Sequence, residues 1–255
     1  LEIAERSGGR RPSPLNGEVD WNAVGLEMAS VSDVSVGFPR LTPEQQQHRD
    51  FDAAREAGNE DLALKIWERS RWNPVNTREL SGIAEVLAAA GLEEAVPFAD
   101  ALARREPAEA QAILARLRIR QGRFGDAAAL LQDALTRYRA TPWPQREVMW
   151  RAIRSAGQVA AGDRAEAPRM AALLDRPFVA RLNDQERAVV RIHAAYSAGG
   201  CGPETIAALK AVEPHAPWER DLLQLRSDCY EKAGLAGAAA AARKDLKRFV
   251  AAETP

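Results

Sequence analysis

Cysteine is nearly absent: the 255 residues hold two, Cys201 and Cys229, 28 positions apart. Neither belongs to a CxxC pair or stands near a histidine, so the spacing offers no zinc site, and two buried or half-buried thiols are the expectation. Aromatic residues are scarce at 6%, against 46% hydrophobic residues in all. With alanine as the dominant apolar residue, the chain lacks the β-branched and aromatic surface that strands prefer. Essentially no sheet is expected. No apolar run approaches the roughly 18 residues that would cross a bilayer, so no segment is expected to insert into a membrane. An excess of one charge is missing as well: 35 Lys and Arg face 36 Asp and Glu, for a formal charge of −1. That balance removes the bulk attraction to nucleic acid, which is not an expected partner.

Catalytic spacings are also lacking. There is no GxSxG, no HExxH and no GxxxxGK[ST], and His48, His193 and His215 share no ligand spacing. His193, within VVRIHAAY, is expected to pack near the core. The glycine-rich AGGCG at 198–202 has no lysine or serine to make a phosphate cradle and reads as a loose turn. No catalytic residue, metal or cofactor is expected, and the chain is read as no enzyme in itself. The six tryptophans are expected to fill gaps between helices.

What the chain does contain is a repeat. Gly122, Ala127, Leu131 and Ala134 have the spacing of two antiparallel helices joined by a tight glycine turn, and Gly58, Ala63, Trp67 and Ser70 reproduce it, as do Gly234, Ala239 and Leu246. Weaker copies centre on Ala95, Ala167 and Thr205. The anchors at 63, 95, 127, 167, 205 and 239 are separated by 32, 32, 40, 38 and 34 residues, a period that belongs to stacked helix pairs. Six pairs fit the length.

Residues 1–40 mix Gly, Pro, Ser and Arg and read as a linker. Within them, Asp20 could cap a short helix carrying Trp21, Val24 and Met28. The chain begins without methionine, which suggests a fragment of a longer or processed protein. The helical domain is expected over 41–250, with 251–255 as a tail. Thr42-Pro43-Glu44-Gln45 and Asn76 with Glu79 are helix starts. Glycine turns are expected at Gly58, Gly91, Gly122 and Gly162, with Pro97 delaying the helix it enters. Pro217-Trp218 opens the last pair, echoing Pro142-Trp143 75 residues earlier. Abundant Ala and Arg suggest a GC-rich bacterial genome, with the compartment left open between cytoplasm and periplasm.

The pattern of a turn glycine, a small residue five positions on, a bulky one four later, a small one three later and an exit proline resembles the tetratricopeptide repeat. It is best at Gly58/Ala63/Trp67/Ser70/Pro74 and at Gly122/Ala127/Leu131/Ala134. The resemblance spans roughly 42–250 and implies an all-α right-handed solenoid whose concave wall, built from the first helix of each pair, binds a peptide or protein. The groove residues it implies are Gln45, His48, Asp52, Arg55, Glu109, Arg116, Arg120, Arg187, Asp221, Gln224 and Asp228. A basic middle at Arg116 and Arg120 implies a partner with an acidic segment. The expected function is a protein-interaction scaffold; the alternative is a non-catalytic accessory domain of a larger enzyme or membrane protein. An α/α-barrel enzyme would need converging carboxylates in the connections, and no such pair is evident.

Overall fold

The computed structural model describes residues 41–253, and all regular structure among them is helical. The linker and the Trp21 helix lie outside the described residues. In chain order the helices are α1 (Pro43–Glu56), α2 (Glu60–Ser70), α3 (Thr77–Ala89), α4 (Ala95–Ala103), α5 (Pro107–Arg120) and α6 (Phe124–Tyr138). They continue as α7 (Arg146–Gly162), α8 (Ala167–Leu173), a 3₁₀ turn (Arg181–Asn183), α9 (Asp184–Gly199), α10 (Pro203–Lys210), α11 (Arg220–Lys232) and α12 (Ala236–Glu253). The last helix thus absorbs most of the residues expected as a tail. The helix that Pro97 enters, α4, starts only at Ala95, with Pro97 in its first turn, where the N–H groups of a helix have no intrahelical acceptor to lose.

Local chemistry sets the boundaries. The Asn59 side chain accepts from the Leu62 N–H at 3.1 Å and that of Asn76 from the Glu79 N–H at 2.9 Å, while the Glu79 carboxylate accepts from the Val75 N–H at 3.1 Å. These are reciprocal caps of orphan donors. Gly58, Gly91, Gly122 and Gly234 end their helices at φ of 72°, 77°, 73° and 70°, a left-handed turn that glycine enters without a Cβ penalty. Arg71 ends α2 in the same region at φ 42° with its guanidinium 5.4 Å from the Trp67 ring.

Gly162 departs from the expected pattern. It is the last residue of α7, and a Cβ there would lie 2.4–2.9 Å from the Phe124 ring. It serves close approach between α7 and α6, not a left-handed turn.

The anchors behave as the period requires. Ala63, Ala95, Ala127 and Ala167 are 0% exposed, Thr205 1% and Ala239 2%. Thr205 reconciles its hydroxyl with burial by donating to the Gly200 carbonyl at 2.6 Å. From α2 onward, helices adjacent in sequence pack together, and α3, α5, α7 and α9 also touch in succession. One core runs from Phe51 to Ala194 and a second from Val189 to Ala242. They share α9, whose Val190 and Ala194 face the first while Val189 and Ile192 face the second.

The second core contains the main correction to the cysteine reading. Cys201 and Cys229 are joined in a disulfide with Cα atoms 4.9 Å apart. Cys201 follows the turn that reverses the chain after α9, and Cys229 lies in the last turn of α11, so cysteines 28 residues apart meet only once three helices have packed. Arg226, 4% exposed, organises the same core. It donates to both Glu213 oxygens, at 2.6 and 3.0 Å, and to Asp245 at 2.8 Å.

Substituting Gly162→Ala should force the Phe124 ring to move and lower stability by about 1–2 kcal/mol. Gly125→Ala, where a Cβ meets nothing within 4 Å, should raise it by a few tenths to about 1 kcal/mol. Urea unfolding of both variants beside the parent measures the contrast.

Candidate partner-binding face

Helix α3 sets the character of the face that the repeat pattern nominates. Every residue from Ser81 to Ala89 is buried, including Glu85, which is 3% exposed. An ionised carboxylate in such a place requires partners. Glu85 has two: Arg55 of α1 at 2.8 Å, and Arg151 of α7 at 2.7 and 2.9 Å. One acid thereby ties together helices from the first, second and fourth pairs. Gly82 makes room for it, since a Cβ there would stand 3.1 Å from Arg55 Nε.

Most of the other nominated residues are engaged within the chain. His48 stacks on Trp72 with ring centroids 4.4 Å apart, and its Nδ1 is 3.8 Å from Glu79. Asp52 is 3.9 Å from Arg55 and 3.6 Å from Arg78. Arg116 pairs with Glu60 at the start of α2, and Arg120 Nε donates to the Ala89 carbonyl at 2.6 Å. Glu60, Asp61 and Arg120 line one small cleft of about 290 Å³. The basic middle of the face already holds an acid from the chain itself. Arg187 is held by Asp184 at 3.1 Å and by the Leu174 carbonyl at 2.5 Å. Gln45 is exposed at the start of α1. At the other end, Asp221, Gln224 and Asp228 form an exposed stripe on α11, with Gln224 donating to Asp228 at 2.7 Å. The structure therefore brings Arg55 to Glu85 and Arg116 and Arg120 to the start of α2, and leaves the α11 stripe open.

Glu109 is a buried side chain whose Oε1 accepts from the Gln145 N–H at 3.0 Å. Burial pushes its carboxyl pKa up, against the lowering effect of that hydrogen bond. Tyr138 is fully buried without a hydroxyl partner, and burial together with the Glu109 and Glu85 charges drives its pKa well up. These groups suit structural burial. Among the described residues no cluster of three or more His, Cys, Asp or Glu has metal-binding geometry, and no helix is long and apolar enough to cross a membrane.

Two histidine and tryptophan expectations change. His193 is exposed on α9 instead of packed. Trp67 fills the core as expected, but Trp143 is 90% exposed and Trp218 50% exposed, because both stand in connections where neighbouring pairs leave no gap to fill. Sequence reasoning also missed Glu85, Arg151 and Arg226. A lone acid amid SGIAEVLAAA was the available signal for Glu85; its arginines are 30 and 66 positions away and carry none. No protein-family model, curated protein or solved structure matches the chain.

Two outcomes follow from these buried acids. Glu85→Ala should cost about 3 kcal/mol by leaving two arginines without their acid, read by chemical denaturation. Glu109 has a folded pKa above its unfolded one, so its charged form opposes folding at neutral pH, and that cost disappears as pH falls through the raised pKa to the ordinary glutamate range. Glu109→Gln should therefore melt higher than the parent at pH 7, with the difference vanishing near pH 4 in a thermal-melt series.

Proposed function

We propose that the chain is a protein-interaction scaffold: an α-solenoid of about six tetratricopeptide-like helix pairs that binds a partner protein or peptide with an acidic segment. The observation that carries this reading is the recurrence of one packing unit, with all six anchors buried and α3, α5, α7 and α9 in contact one after another. Such a stack presents one surface per unit, and its binding surface grows with the number of units. The ionisable groups are compatible with the same reading, since Glu85, Glu109 and Arg226 are each neutralised or hydrogen-bonded inside the fold. An acidic segment seeking Arg116 competes with Glu60, which favours partners with several acids over those with one. The Cys201–Cys229 disulfide supports the periplasm over the cytoplasm, because disulfides persist in oxidising compartments.

Affinity capture from native cell extract on the full chain, followed by mass spectrometry, tests the scaffold. The expected result is a partner that is retained in low salt and released by polyglutamate. Recovery of no specific protein, or of one indifferent to polyglutamate, would count against it.

A further inference from the structure

We infer that the partner docks on the edge of the stack formed by the connections between pairs, through an acidic segment carrying an aromatic or branched apolar anchor; this rests on the scaffold reading. In a stack of helix pairs the turns within pairs share one edge and the connections between pairs share the other. Contacts across the chain bear this out. On the connection edge, Gln145 bonds to Glu106 and Glu109, Arg139 donates to the Leu173 carbonyl at 2.5 Å, and Asn183 donates to the Arg146 carbonyl at 3.4 Å. The connections after α4, α6 and α8 are thus side by side. On the turn edge, Arg120 and Gln121 reach Ala89 and Gly91, and Phe124 meets Gly162.

The two edges differ in chemistry. The glycine turns at 57–59, 90–92, 121–123 and 233–235 contain no exposed large apolar side chain. The connection edge exposes Trp143 at 90%, Leu182 at 60% and Val179 at 56%. Trp143 stands between Pro142 and Pro144, whose fixed φ angles restrict the loop before any partner arrives, so little entropy remains to be lost on binding. Charge adds direction. Arg105, Arg146 and Arg176 are exposed on this edge and their guanidinium groups have no partner among the described residues. The nearby acids are mostly committed: Glu106 and Glu109 to Gln145, Asp175 to Arg191 at 2.5 Å, and Asp184 to Arg181 and Arg187. Among the described residues, Glu147, exposed on the first turn of α7, opposes them locally. Exposed tryptophan beside unpaired arginine is the composition of interface anchors, and the surplus positive charge selects an acidic segment.

Panning a phage-displayed random dodecapeptide library on the full chain, then measuring the selected synthetic peptides by fluorescence titration, tests the assignment. The selected peptides should be acidic with at least one aromatic or branched aliphatic residue, and binding should shift tryptophan emission to the blue in the parent but not in Trp143→Phe. Trp143→Ala and the triple variant Arg105→Glu/Arg146→Glu/Arg176→Glu should each weaken binding at least tenfold, with unchanged circular dichroism. Val179→Ser/Leu182→Ser provides a second apolar readout. Peptides that bind all variants equally overturn the edge while leaving the scaffold standing. A screen that selects no peptide counts against both. Sedimentation with phosphatidylglycerol vesicles that the same substitutions abolish, with no peptide selected, reassigns the edge to a membrane surface and overturns the proposal.

Discussion

Close approach of helix backbones at six small residues is the constraint on which the rest of this structure depends. Ala63, Ala95, Ala127, Ala167, Thr205 and Ala239 are all small, and each is 2% exposed or less. That proximity fixes the turn that must precede it: the chain reverses through a left-handed glycine at Gly58, Gly91, Gly122 and Gly234, because any Cβ there would be strained. At the fourth unit the constraint is met differently. Gly162 yields its space to the Phe124 ring, so the glycine is retained for packing between pairs and the chain turns by leaving the helix at Asp163 in extended conformation.

Small residues at the contacts mean small apolar area per contact, and the structure compensates with buried charge in pairs. Glu85 between Arg55 and Arg151, and Arg226 between Glu213 and Asp245, each link elements far apart in sequence. Burying such ions costs desolvation that their mutual attraction only roughly offsets. Their value is in specificity: a slipped register between α3 and α7 would take Arg151 from Glu85 and leave the buried acid with Arg55 alone. A stack whose units resemble one another needs this kind of marker, since apolar alanine faces alone do not distinguish one neighbour from the next.

Much of the helical order was legible because it is local. The caps at Asn59 and Asn76, the prolines opening α5 and α10 and the glycine turns are all written within four residues of their effect. The anchor positions were legible as buried sites as well, and all six are 2% exposed or less. What was not legible depends on meetings across tens of residues. Arg116 looked like a free groove cation because nothing near it in sequence answers its charge; its acid, Glu60, is 56 positions earlier. Cys201 and Cys229 looked like thiols for the same reason. His193 was assigned to the core from an apolar neighbourhood in sequence, yet on a helix its neighbours Ile192 and Ala194 face inward while His193 faces out. Adjacent residues on a helix point about 100° apart.

These internal pairings decide where recognition can occur. A surface binds a charged segment in proportion to the charges it has left unpaired, and a groove whose arginines already hold the chain's own carboxylates presents little field to a visitor. In this chain Glu60 and Glu85 take up Arg116, Arg55 and Arg151, while Arg105, Arg146 and Arg176 are exposed in or beside the connections. Close packing between helices and unpaired charge in the connections are therefore two results of one arrangement. The helices meet through alanine and paired ions, and the side chains that find no neighbour there, tryptophan and arginine among them, are concentrated where the chain passes from one pair to the next.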